Sequence, residues 1–117
     1  MAEDDPMVRM EAADVLGDAG FDVLEASTSS LALAQLEQHP EVALLFTDVQ
    51  MPGNFDGLAL AHEARRRWPQ MPIVVVSGKM TPQPAQLPEG ARFLSKPYYA
   101  SALARVIREL GICVATR

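Results

Sequence analysis

Two continuous apolar runs constrain the fold of this chain more than any other feature. They are Val42-Ala43-Leu44-Leu45-Phe46 and Ile73-Val74-Val75-Val76, and neither alternates with polar residues as a half-exposed strand would. Strands covered on both faces have this composition, and such strands belong to parallel sheets flanked by helices. Segments with apolar residues at helical spacing precede and follow each run. The pattern predicts a doubly wound parallel α/β sheet.

The remaining segments fit the same alternation of strands and helices. Residues 6–19 are predicted to form a helix that ends at Gly20, and Ser29 or Ser30 is predicted to cap a second helix running to Gln38. Short strands are predicted at 21–26 and 91–94. Two further helices are predicted, one carrying Leu60, Ala61, Ala64 and Trp68 on one side and a last one carrying Leu103, Val106, Ile107 and Leu110.

Composition limits the classes of protein to which the chain can belong. Its 117 residues form one domain, predicted to span 1–117 with no output domain. The net charge is −5 and the one basic run, residues 65–67, is expected at a helix end, so we expect no nucleic-acid binding. No apolar run is long enough to cross a membrane. The first residues are acidic, so we expect no secretory signal peptide. A single cysteine fits a cytoplasmic protein.

Polar residues follow the predicted strands where ligands bind in such sheets, at the carboxyl ends. Asp48 follows the strand at 42–47, Ser77 follows 73–76, and Lys96 follows 91–95. The acidic cluster Glu3-Asp4-Asp5 stands just ahead of the first helix. Because the carboxyl ends of parallel strands lie at one edge, these side chains are expected to converge.

Two carboxylates 4 Å apart repel each other by about 4 kcal/mol at an effective dielectric of 20, and a divalent cation relieves that repulsion. Mg²⁺ prefers oxygen ligands and suits a site that handles phosphate. A carboxylate such as Asp48 can attack a phosphoryl donor to give an aspartyl phosphate. Lys96 would then neutralise phosphoryl oxygens, and the Ser77 hydroxyl would donate a hydrogen bond to one of them.

Each residue taken alone also has a plainer interpretation. Asp4 or Asp5 before Pro6 is a good helix N-cap, and Asp48 could bind its own backbone in a loop. Ser77-Gly78 is a common turn, and Lys96-Pro97 could be a strand end with a surface lysine. Their order along four successive strand-to-helix junctions favours a shared site.

The chain resembles the receiver domain of bacterial two-component response regulators. The matching segments are Glu3-Asp4-Asp5-Pro6, Thr47-Asp48-Val49-Gln50-Met51-Pro52-Gly53 with Asp56-Gly57, Val74-Val75-Val76-Ser77-Gly78 and Phe93-Leu94-Ser95-Lys96-Pro97-Tyr98. The resemblance implies a flavodoxin-like sheet of strand order 2-1-3-4-5 and phosphorylation of Asp48 by a histidine kinase or histidine phosphotransfer protein. It also implies a downstream protein target.

The resemblance assigns further roles. It implies Mg²⁺ bound by Asp4 and Asp48 directly, with Glu3 as the second member of the acidic pair and the Gln50 carbonyl completing the ligands. Ser77 would be the switch hydroxyl, Phe93 the switch aromatic, and Lys96 the cation on the phosphoryl oxygens.

Two segments depart from the family pattern. Only Met1-Ala2 precedes the acidic pair, where the family has a full strand, so the first strand is expected to be truncated. The unpaired edge beside 42–47 then predicts a homodimer or a rearranged sheet, and weakened metal binding. Prolines 82, 84 and 88 oppose a regular helix between Ser77 and Phe93, so the fourth helix is expected to be short or missing.

Two other functions compete with an active receiver. A degenerate receiver would bind proteins without turning phosphate over, and the truncated first strand keeps that alternative open. An aspartyl-phosphate phosphatase of the haloacid dehalogenase type needs a second aspartate two residues after the nucleophile, and here that position is Gln50. We therefore expect a phosphoryl acceptor that is not a phosphatase.

Overall fold

A computed structural model describes most of the chain as a parallel sheet with helices packed on it. The described residues are 1–39, 41–49, 55–78, 84–96 and 100–110. The helices are α1 (Pro6–Asp18), α2 (Ser29–Gln38), α3 (Gly57–Arg67) and α4 (Ala100–Glu109), and the strands are β1 (Leu45–Asp48), β2 (Ile73–Ser77) and β3 (Arg92–Ser95). None of the helices within these ranges is long and apolar enough to cross a membrane.

The three strands lie side by side in the order β1-β2-β3, and both pairs are parallel. In register, Asp48 lies beside Val76, and Ser77 lies beside Ser95. Every residue of β1 and β2 is buried, as the two apolar runs predict. The polar ends of neighbouring strands therefore meet at one edge of the sheet.

Ala2 extends this sheet beyond β1. It forms parallel bridges with Thr47 on one side and Ala26 on the other. Backbone hydrogen bonds support both: Ala2 N donates to Phe46 O at 2.9 Å, and Glu3 N donates to Ala26 O at 3.0 Å. The lateral order is thus residue 26, residue 2, β1, β2, β3. Ala2 therefore pairs at the first-strand position beside the carboxyl end of β1, where the sequence predicted a truncated strand.

Two predicted strands are shorter than the sequence suggested. At 21–26 the described backbone forms a β-bridge only at Ala26, and the strand predicted from residue 42 begins at Leu45. A strand needs a neighbouring strand to bond to. The stub at residues 1–3 bridges the two segments only near their carboxyl ends, at Ala26 and Thr47. The first bond from β1 to the β2 side is Leu45 N to Pro72 O, at 2.9 Å. The predicted homodimer through an unpaired edge stays a prediction.

Two apolar clusters cover the opposite faces of the sheet. One combines β residues such as Leu45, Ile73 and Val75 with α2 and α3. The other combines Phe46, Val74 and Val76 with α1 and α4. Burial on both faces at about 25 cal/mol per Å² of apolar surface is the main force that holds helices on the sheet.

Side-chain caps fix where the helices start. Asp5 accepts hydrogen bonds from the amides of Met7 and Val8, and Pro6 lies in the first turn. Of the two candidates for this cap, Asp4 and Asp5, the helix uses Asp5. Thr28, rather than Ser29 or Ser30, caps α2 through the amide of Leu31. Asp56 caps α3 through the amide of Ala59.

Between Ser77 and Phe93 the described residues contain one short 3₁₀ turn, Pro84–Gln86. Residues 79–83 of this segment lie outside the described residues. Proline cannot donate to a helical hydrogen bond, which accounts for a turn of this length. His62 of α3 lies against it, with Nε2 2.6 Å from Gln86 O.

Candidate functional site

Three carboxylates converge at the carboxyl end of β1. Oxygen atoms of Glu3, Asp4 and Asp48 lie within 4.8 Å of one another. Glu3 and Asp48 are buried, whereas Asp4 is exposed. The sequence predicted this convergence from the ends of separate strands. Such a set of hard oxygen donors fits a divalent cation of the Mg²⁺ type.

Backbone pairing and one arginine hold the Glu3 end of the site. Glu3 N is bonded to Ala26 O, and Arg9 Nη1 donates to Glu3 O at 3.0 Å. The Asp5 amide donates to Glu3 Oε2 at 3.2 Å, which orients the carboxylate. The stub of the first strand is therefore anchored on both sides although it is short.

Asp48 is fixed by the same stub and by close approach of α3. Its amide donates to Ala2 O at 3.0 Å, and the Thr47 hydroxyl donates to Asp48 O at 3.0 Å. Gly57 at the start of α3 bonds through its amide to Val49 O at 2.9 Å. A Cβ at Gly57 would lie 1.6 Å from Asp48 O, so only glycine fits there without movement of β1 or α3.

Lys96 joins the two buried carboxylates. Its Nζ lies 2.7 Å from Glu3 Oε1 and 3.1 Å from Asp48 Oδ2. Its own amide donates to Ser77 O at 2.9 Å, so the lysine follows β3 directly and is tied to the end of β2. The ammonium is thus positioned by the sheet.

Burial and charge shift two pKa values in this cluster. Burial raises the pKa of the Glu3 carboxyl above its usual range, and the neighbouring Asp48 adds to the rise while Lys96 opposes it. For Lys96, burial works to lower the pKa, but the hydrogen bonds to Glu3 and Asp48 raise it above its usual value. Lys96 therefore stays charged at neutral pH and compensates part of the carboxylate repulsion.

Ser77 and Phe93 occupy the predicted strands near this cluster. Ser77 is buried at the end of β2, one residue beyond the partner of Asp48. Phe93 is half-buried in β3 beside Val75 and packs against the core on the α2 and α3 face. Asp5 caps α1 instead of joining the carboxylates, and Gln50 lies outside the described residues.

Three residues that support the site were not predicted for it. Arg9 donates a hydrogen bond to Glu3 O. Thr47 and Gly57 bear on the backbone of Asp48. An Asp-Gly pair soon after a strand signals a helix start, but the close approach of two backbones depends on tertiary packing.

Residues 1–108 match the protein family described as "Response regulator receiver domain". Curated relatives include the sensor kinase CckA of Brucella abortus, 34% identical over 94% of this chain, and the nitrogen assimilation regulatory protein NtrX of Azorhizobium caulinodans, 31% identical over 96%. The chain spans only 12% of the sensor kinase and 25% of NtrX.

Solved structures agree with the sequence relatives. A response regulator receiver protein from Sinorhizobium medicae superposes with a TM-score of 0.85 at 28% identity, covering 93% of this chain and 89% of that one. The receiver domain of NtrX from Brucella abortus gives 0.83 at 29% identity, covering 93% of both.

Proposed function

Since the chain belongs to the response regulator receiver domain family of two-component signalling, we propose that it accepts a phosphoryl group on Asp48. The observation that carries the proposal is the convergence of Glu3, Asp4 and Asp48, with Lys96 bonded to Asp48 at 3.1 Å. The donor would be a phosphohistidine of a histidine kinase or of a histidine phosphotransfer protein in the cytoplasm.

The proposed transfer places each described residue in one role. An oxygen of the Asp48 carboxylate attacks phosphorus, the new P–O bond forms as the P–N bond to the donor imidazole breaks, and the imidazole leaves with the bonding pair. Lys96 already contacts Asp48, so its ammonium can pass to an equatorial phosphoryl oxygen with little movement. Ser77, on the neighbouring strand, would donate its hydroxyl to another.

Asp4 and Asp48 would bind Mg²⁺ directly, and Glu3 would complete the acidic pair. When bound, the ion supplies positive charge to oxygens of the transferred group. The side chains present suit such an ion, because three carboxylates with oxygens within 4.8 Å of one another carry more negative charge than Lys96 alone neutralises. The Gln50 carbonyl remains a proposed further ligand outside the described residues.

The proposed output is a rearrangement at Ser77 and Phe93. When the Ser77 hydroxyl moves to the phosphoryl group, the end of β2 shifts, and β3 is bonded to it through Lys96 N and Ser77 O. Phe93 lies two residues before Ser95, the register partner of Ser77. A downstream protein would recognise the changed surface around β3.

A small phosphodonor tests the proposal without the cognate kinase. Incubation with acetyl phosphate and Mg²⁺ should add the mass of one phosphoryl group, and the Asp48→Asn variant should add none. Omission of Mg²⁺ should suppress the reaction of the parent chain. A folded protein that shows no mass change under any of these conditions would instead indicate a degenerate receiver that acts by binding alone, and steady hydrolysis of phosphate esters would indicate a phosphatase.

A further inference from the structure

Arg9 of α1 bonds to the acidic segment through its backbone and through its side chain. Its amide donates to Asp5 O at 2.8 Å in the first turn of the helix, and its Nη1 donates to Glu3 O at 3.0 Å. Helical side chains lean toward the amino end of their own helix, so an arginine in the first turn can reach residues that precede the helix. The guanidinium therefore acts on the backbone ahead of α1.

The oxygen that Arg9 binds belongs to the peptide between Glu3 and Asp4. A peptide unit is planar, so a bond that fixes this carbonyl also fixes the direction of the Asp4 amide. The Glu3 amide is fixed as well, since it donates to Ala26 O at 3.0 Å. Oxygen atoms of both carboxylates lie within 4.8 Å of an Asp48 oxygen. The contact with Arg9 thus bears on the position of two of the three carboxylates.

A second contact holds the guanidinium in place. Arg9 Nε lies 3.5 Å from Glu25 Oε1, and Glu25 O accepts a hydrogen bond from Gln35 Nε2 of α2 at 2.8 Å. These three residues line a pocket of about 460 Å³, and the two charged side chains stay partly exposed. Such an ion pair contributes little stability by itself, but it orients the planar guanidinium. Arg9 thus connects Glu3 to α2 through Glu25.

The charge of Arg9 and its hydrogen bond act on a bound cation in opposite directions. A guanidinium near the carboxylates repels Mg²⁺, so charge alone predicts tighter metal binding once Arg9 is removed. Loss of the hydrogen bond to Glu3 O frees the backbone that carries Glu3 and Asp4, which predicts weaker binding. The second effect should be larger, because the Arg9 charge is partly exposed and paired with Glu25, and both screen it at the metal site.

We propose that Arg9 is a positioning residue for the Mg²⁺ site, which holds the Glu3–Asp4 peptide so that the carboxylates on either side of it meet Asp48. The inference rests on the proposed function, because it concerns the metal that phosphoryl transfer to Asp48 would use. It predicts that Arg9 strengthens Mg²⁺ binding although it carries a positive charge.

Two substitutions of Arg9 separate position from charge. Arg9→Met removes both the charge and the hydrogen bond. Arg9→Lys keeps the charge but offers one ammonium, which cannot bond Glu3 O and Glu25 together as a planar guanidinium does. Mg²⁺ affinity measured by calorimetry should fall about threefold or more in Arg9→Met and should take an intermediate value in Arg9→Lys.

Arg66→Met is the matched control. Arg66 also pairs with a glutamate, since its Nε donates to Glu63 Oε1 at 3.0 Å. It stands in the last turn of α3, about 13 Å along the helix from Gly57, which lies against Asp48. Its removal should leave Mg²⁺ affinity unchanged, and a fall equal to that of Arg9→Met would contradict the proposal.

A kinetic measurement distinguishes positioning of the metal site from a general loss of structure. At low Mg²⁺ the rate of phosphorylation by acetyl phosphate should fall in Arg9→Met, and saturating Mg²⁺ should restore it to within about twofold of the parent rate. A rate that saturating Mg²⁺ does not restore would mean that Arg9 supports the fold in general, and the proposal would be wrong.

The metal affinities decide the remaining outcomes. Unchanged or higher Mg²⁺ affinity in Arg9→Met would overturn the proposal, as would a parent chain that binds no Mg²⁺. If urea titration shows that Arg9→Met does not fold, Arg9→Lys decides alone, and an unchanged affinity there overturns the proposal. A parent chain that binds Mg²⁺ but accepts no phosphoryl group would contradict the role of Asp48, while weaker binding in the Arg9 variants would still support the role of Arg9.

Discussion

Lys96 Nζ lies 2.7 Å from Glu3 Oε1, which joins the end of the last described strand to the third residue of the chain. The same ammonium reaches Asp48 Oδ2 at 3.1 Å. One cation thus holds two buried carboxylates at the positions where the family resemblance implies a metal ion. A divalent cation bound at this cluster would therefore compete with the lysine for the same oxygens.

Removal of this lysine should strengthen metal binding while it weakens phosphoryl acceptance. In Lys96→Met the Glu3 and Asp48 oxygens lose their ammonium partner, so Mg²⁺ affinity should rise about threefold or more. The rate of phosphorylation by acetyl phosphate should fall. Titration of Mg²⁺ by calorimetry checks the first effect. An affinity that falls in the variant would contradict the competition.

Neighbouring aspartates should separate metal binding from helix capping. Asp4→Asn removes a charge from the carboxylate cluster and should lower Mg²⁺ affinity with little change in stability. Asp5→Ala removes the cap of α1 and should cost about 1 kcal/mol of unfolding free energy while Mg²⁺ affinity changes less. Urea unfolding and Mg²⁺ titration of both variants make the comparison. The reverse pattern would mean that Asp5 is the ligand.

Gly57 should be intolerant of even one methyl group. Gly57→Ala places a Cβ 1.6 Å from Asp48 O, so β1 or α3 must move, at a cost of about 1–3 kcal/mol or more. Because Asp48 moves with its backbone, phosphorylation should also slow. Gly17→Ala is the matched control, since nothing lies within 4 Å of its Cβ and alanine favours the helix. Equal stability of the two variants would show that the approach is looser.

The Ser77 hydroxyl should matter for transfer, whereas that of its register partner should not. Ser77→Ala removes a proposed donor to the phosphoryl group and should slow phosphorylation about tenfold or more. Ser95→Ala changes the exposed serine beside it on β3 and should leave the rate unchanged. Phosphorylation rates from intact-mass time courses make the test. A similar loss in both variants would point to a general effect on the strand ends.

The sequence predicted the site better than the edge of the sheet. Asp48 and Ser77 stand at the ends of the two apolar runs, and strands that are buried on both faces are easy to recognise. Parallel strands bring their carboxyl ends together, so the convergence with Glu3 followed from the fold class. The choice between Asp4 and Asp5 was less certain, because an aspartate before proline fits both a cap and a metal site.

The errors have one physical origin, which is that a strand exists only where it has a neighbour. Residues 21–26 have the composition of a strand, yet their described backbone contacts residues 1–3 only through the bridge at Ala26 and the hydrogen bond from the Met1 amine to Leu24 O. The same stub covers the edge of β1 near its carboxyl end, where Ala2 forms two backbone hydrogen bonds with it. Pairing of this kind depends on contacts distant in sequence, which local composition does not report.

Chemical mapping of the phosphoryl group tests directly whether Asp48 is the acceptor. After reaction with acetyl phosphate and Mg²⁺, borohydride reduction converts an aspartyl phosphate to homoserine, which peptide mass spectrometry can locate. Homoserine is expected at position 48 alone, and none is expected when Mg²⁺ is omitted. Homoserine at Asp4 or Asp56, or a phosphoryl group retained on His39 or His62, would contradict it.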